Sequence, residues 1–527
     1  MTETSEGRGR ARLEGAGPRT RLFVCIVVLM ALHLYAFPYF PKLKHANELP
    51  RVLTTQEIVH KGTFQLNERL DELGSRADIS TTPTGRQYQN KAPGLTILAT
   101  AVYWPVAVVA RALGRTPSMG LTTWLLRVTM VTLPAVLFLA LFRRMAGRFA
   151  PDSDAARDTA LVAYAFGSLA FPYALLFMSH VPAAVAVGAA FVVASEEVRS
   201  PTPTRWRGPV LVGAALGLAM FVEYQAIFAA FFIGLFVLAK SPSGARLRAA
   251  LAMALGALPF LLALGFYHQA CFGSPFRTGY AYSVDEANRV GFMGIVGPSA
   301  KAITQLFTRG NNGLLVFSPW VLFSVVGATA IARSRDLRAR VGAEALVASA
   351  IVLAYLAFVG SLAPEFGRAG WSVGPRYIAV AIPFFGWLAA AGLAVCRKHD
   401  ELWVPALATV FAAVLVNVLA ATTYPHWPTQ FANPVFEISA RLLREGHAPY
   451  SLGTALGLRG IASLVPLYLA IAVVITWVLR RAGARALHLA FALVLGALAL
   501  SRFENFSQTK EPVRSEMWSY VTTTYEP

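Results

Sequence analysis

Four charged residues stand where a chain this apolar has little reason to keep them. Glu48 follows the first hydrophobic run, and Lys91 closes a polar stretch, Asn47–Gly94, in the sequence QYQNKAPG. Arg127 lies inside an apolar run, after Trp124-Leu125-Leu126, and Arg376 ends WSVGPR at the head of another. His180 (FMSHVP), Glu223 and Tyr224 (FVEYQ) and His426 (TYPHWP) stand at further ends of apolar runs. Carboxylate and imidazole are the groups of proton transfer; ammonium and guanidinium are those of anion binding. Polar groups at membrane depth are costly and mark cavities or pathways, so several at one face say more than any one alone.

Each residue also has a plainer reading. Glu48 could be a solvated loop acid. Lys91 and Arg376 could be anchors reaching for headgroups. Arg127 could make a helix–helix hydrogen bond, and His180 and Glu223 could cap the turns they sit in. Tyr424, His426 and Trp427 could form an interfacial aromatic belt.

The elements that must position these residues are hydrophobic. The 527 residues are 56% hydrophobic and 14% charged. Apolar runs at 21–40, 119–142, 157–176, 180–196, 208–222, 225–239, 249–267, 314–332, 341–361, 377–395, 402–421, 460–479 and 486–501 predict about thirteen membrane-crossing helices. The net charge of +19 does not point to nucleic acid, because the basic residues fall in short clusters between runs. Examples are Arg143-Arg144-Arg148, Arg199-Arg205-Arg207 and Arg333-Arg335-Arg338-Arg340. Placing these clusters in the cytoplasm makes the apolar run 93–110 an interfacial or re-entrant helix rather than a span.

The resulting organisation has three parts. Residues 1–20 form a basic cytoplasmic tail, 21–501 a transmembrane domain, and 502–527 an outer tail. The long connections 41–118, 268–313, 362–376 and 422–459 all face outward, and the N-terminal segment is read as an uncleaved first span. No GxxxxGK[ST] and no GxGxxG after a strand occurs, which argues against an ATP-driven pump. The three cysteines, Cys25, Cys271 and Cys396, offer no disulfide framework and no metal spacing.

Asn47-Glu48, then a stretch to His60-Lys61-Gly62, then Lys91-Ala92-Pro93-Gly94 resembles the first outer loop of the GT-C superfamily of membrane glycosyltransferases. Protein O-mannosyltransferases and lipid A aminoarabinose transferases are the most similar in pattern. They have an Asp-Glu pair after the first span, about forty residues, then Lys/His-Pro-Pro and an interfacial helix. An Arg then opens the second span, which ends in a basic cluster; Arg127 and Arg143-Arg144 fill those places. WSVGPRY, FGSPF and TYPHWP resemble motifs of bacterial members. The sequence departs at Asn47, where the family often has Asp, and at Ala92, where it has Pro.

The resemblance implies an all-α polytopic protein of a bacterial plasma membrane, with its N-terminus in the cytoplasm and its site facing outward. It implies transfer of a sugar from a polyprenyl-phosphate donor to a lipid, glycan or protein acceptor, with inversion. Glu48 becomes the expected base, and Lys91, Arg127 and Arg376 the expected ligands of the donor phosphate. His180, Glu223, Tyr224 and His426 become expected sugar or acceptor contacts. No cofactor is expected; the sequence carries no motif for a divalent metal. Three other readings compete: a transporter or flippase of lipid-linked sugars, a non-catalytic scaffold, and a ligase or polymerase moving whole glycans.

Overall fold

A computed structural model of the chain describes residues 18–42, 45–200, 206–363 and 370–525. Residues 1–17 of the expected cytoplasmic tail, Arg205 of a basic cluster and residues 364–369 of the expected outer segment 362–376 lie outside the described residues.

Helices make up most of it: α1 Pro18–Tyr35, α2 Glu48–Lys61, α3 Gly94–Ala112, α4 Met119–Phe149, α5 Asp154–Ala165, α6 His180–Glu197, α7 Arg207–Val222, α8 Ile227–Lys240 and α9 Arg246–Phe272. There follow α10 Ala300–Thr308, α11 Leu322–Arg333, α12 Arg335–Gly360, α13 Ile382–Cys396, α14 Asp400–Thr423, α15 Val465–Arg481, α16 Ala486–Phe503 and α17 Val513–Thr523. Among the described residues the one sheet is an antiparallel hairpin, β1 Ile79–Thr81 and β2 Gln87–Gln89, with Ile79 opposite Gln89. Among the described residues eight helices are long and apolar enough to cross a membrane, and four more are shorter but apolar. The chain is an all-α, polytopic membrane protein.

Two of the expected spans are interrupted. The run 157–176 splits into α5 and a single turn, Ala170–Ala174; the run 314–332 splits at Ser318, between the turn Leu314–Phe317 and α11. The carbonyls freed at the two breaks are taken up by side chains of other segments. Trp320 Nε1 donates to the Gly167 carbonyl at 2.6 Å, and Asn417 Nδ2 on α14 donates to the Phe317 carbonyl at 2.6 Å. Backbone released from a helix at membrane depth must find its partners inside the protein, and these two buried side chains supply them.

The run 93–110 forms one helix, α3, that has the length and hydropathy to span. Its neighbour argues for the membrane plane instead. α2 and α3 run side by side in the same direction: Arg51 Nη1 donates to Ala92 O at 3.1 Å, Thr55 Oγ1 to Thr96 O at 3.2 Å, and His60 Nε2 lies 3.0 Å from Tyr103 Oη. If α3 crossed the bilayer, Glu57, His60 and Lys61 of α2 would be carried into hydrocarbon. α3 buries Thr96, Ala99 and Tyr103 and leaves Trp104, Val108 and Val109 exposed.

The bundle packs closely at glycines. A Cβ on Gly213 of α7 would strike the Met253 carbonyl of α9, and one on Gly256 the Val210 carbonyl in return. Gly327 of α11 and Gly392 of α13 meet Leu388 and Phe323 in the same reciprocal way. Small residues let helix backbones approach within a membrane, where packing rather than water exclusion holds helices together. Beside them Phe142 stacks on Tyr164 at 4.4 Å and on Trp387 at 5.7 Å.

The two ends of the bundle differ in character. At one end the basic clusters meet acids: Arg143 Nε to Asp158 at 2.6 Å, Arg144 Nη2 to Glu196 at 3.0 Å, Arg199 Nε to Glu344 at 2.5 Å. At the other, residues of all five expected outer segments line one cavity, described next.

Candidate active site

A cavity of about 420 Å³ is lined by Asn47, Asp78 and Lys91, by Asp285 and Asn288, by Trp371 and Arg376, by His426 and Thr429, and by Tyr520. A second, of about 350 Å³, is lined by Tyr39, Glu48, Met119 and Arg127 among others. His45 and His426 line both, with ring centroids 4.4 Å apart, and form the wall between them.

His45 also fixes the start of α2. Its Nδ1 faces the N–H groups of Asn47 and Glu48 at 3.2 and 3.4 Å, and its Nε2 is 2.8 Å from the Trp371 carbonyl. Nδ1 must accept and Nε2 donate, so the ring is neutral with its proton on Nε2. Burial holds the His45 imidazole below its ordinary range, against the hydrogen bond to Trp371. His426 is pushed well below that range, by burial first and then by His45 and Arg127. The far end of α2 stops at Gly62, whose φ of 65° is left-handed and natural for glycine.

Glu48 opens α2 and is 5% exposed, so it is not a solvated loop acid. Arg127 Nε donates to its Oε1 at 2.6 Å and Nη2 to its Oε2 at 2.7 Å, while the Phe177 N–H donates to Oε1 at 2.7 Å. Burial alone would raise this carboxyl, but Arg127 and the Phe177 amide outweigh it and hold the group below its ordinary range. Arg127 reaches Glu48 from α4 just before a single π-helical turn, Val128–Thr132. The residue expected as base and one expected to hold phosphate are therefore each other's partner.

Asp78 and Lys91 are brought together by the hairpin. Ile79 pairs with Gln89, and the Asn90 N–H donates to the Asp78 carbonyl at 3.0 Å, so the flanking residues face one another. Lys91 Nζ lies 3.1 Å from Asp78 Oδ1 and donates to Tyr280 Oη at 3.0 Å. Asn47 Nδ2 donates to Asp78 Oδ2 at 2.9 Å. Burial pushes the Asp78 carboxyl up; Lys91, Arg376 and Asn47 together pull it below its ordinary range. The helix after Lys91 can start only with glycine, because a Cβ on Gly94 would collide with the Phe221 backbone. That contact sets the turn KAPG and with it the height of Lys91.

Arg376 completes the larger cavity. It is 7% exposed, its guanidinium lies 5.1 Å from the Tyr377 ring centroid, and Nη2 donates to Tyr377 Oη at 3.2 Å. Among the described residues its buried Nε has no hydrogen-bond partner. Lys91 and Arg376 thus place two cations on one cavity, which suits an oxyanion with several oxygens.

No family model matches the chain, and no curated protein matches it. Among solved structures, it is similar to the crystal structure of ArnT from Cupriavidus metallidurans in the apo state. Identity is 16%, the match covers 92% of this chain and 78% of that chain, and the TM-score is 0.49.

The remaining expected residues divide. His426 is on both cavities and 2% exposed, and its neighbours Tyr424 and Trp427 are equally buried, so these residues are not a belt facing lipid. His180, Glu223 and Tyr224 line neither cavity. Glu223 ends a buried chain that starts at Asn47 on the larger cavity, and His180 and Tyr224 lie beside it. Asn47 Oδ1 accepts from Arg51 Nε at 3.4 Å, Arg51 Nη2 donates to Ser179 Oγ at 3.2 Å, and Ser179 Oγ donates to Glu223 Oε2 at 2.6 Å. His180 Nδ1 lies 3.3 Å from that oxygen, out of line for a hydrogen bond, and Tyr224 Oη is 2.9 Å from His268 Nε2. Glu57, the other acid of α2, pairs with Lys61 and Arg69, both at 3.0 Å, and lines neither cavity.

Sequence reasoning assigned no role to His45, Arg51, Tyr280 or Asp78. For Asp78 a signal existed: Thr82-Pro83-Thr84-Gly85 is turn-forming and sits between short β-prone stretches, which would have placed Asp78 across from Lys91.

Proposed function

We propose that the chain is a GT-C-type membrane glycosyltransferase that moves one sugar from a polyprenyl-phosphate carrier to an acceptor hydroxyl at the outer face. The observation that supports this most is the larger cavity, where Lys91 and Arg376 stand beside an ionised carboxylate at the end of the bundle away from the basic clusters. The acceptor oxygen attacks the anomeric carbon and loses its proton to a carboxylate. The bond from that carbon to the phosphate oxygen breaks with its electron pair. The departing polyprenyl phosphate gains a negative charge, which Lys91 and Arg376 stabilise. A phosphate leaving group needs no general acid, so one displacement suffices and the anomeric configuration inverts. In this reading Arg127 braces Glu48, and the phosphate falls to Lys91 and Arg376.

The test is transfer by the purified protein in nanodiscs, given a panel of radiolabelled polyprenyl-phosphate sugars and a membrane extract as acceptor source. Release of polyprenyl phosphate with labelled, anomerically inverted product supports the proposal. One other reading has an observation in its favour: the paired helix breaks near Gly167 and Ser318 are a feature that transporters use. Movement of intact lipid-linked sugar across the bilayer, without transfer, would favour it.

A further inference from the structure

Resting on that reading, we infer that Asp78, carried by the hairpin, is the carboxylate that takes the proton from the acceptor hydroxyl, and that Glu48 is a positioning residue.

The two acids differ in how much of each carboxylate is free. Glu48 Oε1 already accepts two hydrogen bonds, from Arg127 and from the Phe177 amide, and Oε2 accepts one from Arg127. A base must take up the acceptor hydroxyl as a new partner, and Glu48 has one lone pair left, inside a bidentate clamp. Asp78 has one partner on each oxygen, Lys91 on Oδ1 and Asn47 on Oδ2. Each of its oxygens keeps a free lone pair.

Location points the same way. Asp78 lines the larger cavity together with Lys91 and Arg376, whereas Glu48 lines the smaller one. A base must reach the acceptor oxygen while that oxygen approaches the anomeric carbon, next to the phosphate.

Asn47 supplies the third argument. Its amide nitrogen is 2.9 Å from the Asp78 carboxylate. Two carboxylates at that distance cannot both ionise at neutral pH. An acid at 78 and an amide at 47 are therefore complementary, and the amide at 47 leaves the cavity its carboxylate from the other side of the contact. Asn47 in turn is held by Arg51 Nε at 3.4 Å, so its nitrogen is aimed at Asp78.

Lys91 links the two halves of the reaction. Its ammonium touches Asp78 and faces the cavity that Arg376 shares. As the leaving phosphate gains charge, Lys91 turns its hydrogen bonds toward it, and Asp78 becomes a stronger base as the proton arrives. The proton moves from acceptor oxygen to Asp78, the new bond joins that oxygen to the anomeric carbon, and the phosphate leaves with the electron pair. Asp78 then releases its proton to solvent.

The experiment measures polyprenyl-phosphate release in nanodiscs for wild type, Asp78→Asn and Asn47→Asp/Asp78→Asn, with folding followed by gel filtration and thermal unfolding. Loss of a general base costs roughly 10²–10⁴-fold in kcat, and Asp78→Asn is expected in that range with donor KM little changed. The double variant returns a carboxylate to the same contact and is expected to recover at least about tenfold in kcat over Asp78→Asn at matching unfolding midpoints, which separates a returned base from restored folding. A folded Asp78→Asn protein with near wild-type kcat overturns the inference while leaving the glycosyltransferase reading intact. If Asp78→Asn does not fold, the double variant decides: transfer supports the inference, and a folded protein without transfer overturns it. A wild type that releases no polyprenyl phosphate from any donor overturns both.

Discussion

Glu48 and Arg127, 79 residues apart in sequence, close on each other with two hydrogen bonds of 2.6 and 2.7 Å in the interior of the protein. The pair ties the first turn of α2 to the first third of α4 and so holds one wall of the site. Removing one partner from a buried ion pair costs about 3–5 kcal/mol, because the other charge is left unpaired. Glu48→Gln and Arg127→Met are each expected to lower stability by that order, and the double variant by clearly less than their sum. Denaturant unfolding in detergent measures the cycle. Additive losses would show that the pair does not act as a unit.

Arg376 and Lys91 should separate from that pair in kinetics. Removing one donor to a developing oxyanion costs roughly 10²–10³-fold in kcat. Arg376→Ala is expected to fall in that range with a smaller loss of stability than Lys91→Met, since among the described residues the Arg376 side chain hydrogen-bonds to the Tyr377 hydroxyl rather than to a carboxylate. Arg376→Lys should keep part of the rate. Lys91→Met should lose both rate and stability, because it leaves Asp78 buried beside an absent cation. Initial rates over a range of donor concentration, beside unfolding midpoints, distinguish the two.

The histidine wall makes stability depend on pH. His45 and His426 are both held below their ordinary range by burial, and so stay neutral in the fold. The unfolded chain takes up protons at these two residues as pH falls through about 6.5, while the folded chain does not. Their contribution is full above that pH and is lost progressively below it. The unfolding temperature is expected to drop between pH 7.5 and 5.5, and to drop less steeply in His426→Gln. Thermal unfolding across that series checks it; identical slopes would contradict the assignment.

Gly327 and Gly392 predict a packing effect far from the site. Each lies against the backbone of the opposite helix, so an added side chain must push α11 from α13. Overpacking a close contact costs about 1–3 kcal/mol. Gly327→Val is expected to lower stability by that order and to leave donor KM unchanged, as measured by unfolding and initial rates.

Hydrophobic length carried most of the fold, because a lipid-length apolar run has few alternatives to a helix. It failed where apolarity continues through a break. Residues AFGSLAFPY read as uninterrupted, yet Gly167 and Ser168 leave the helix and hand the Gly167 carbonyl to Trp320. For the site, the charged residues could be picked out singly because each is out of place in an apolar chain. Their pairing could not, because Glu48 meets Arg127 and Asp78 meets Lys91 through tertiary contacts that leave no local pattern. The chain behind the cavity, from Arg51 through Ser179 to Glu223, was hidden for the same reason.

The most direct test compares polyprenyl-phosphate release in nanodiscs between wild type, Lys91→Met/Arg376→Ala, and Arg143→Gln at the opposite end of the bundle. The account predicts release by wild type and Arg143→Gln, and a loss of more than about 10²-fold in the double variant. Equal release by all three, or none by wild type with any donor, would contradict it.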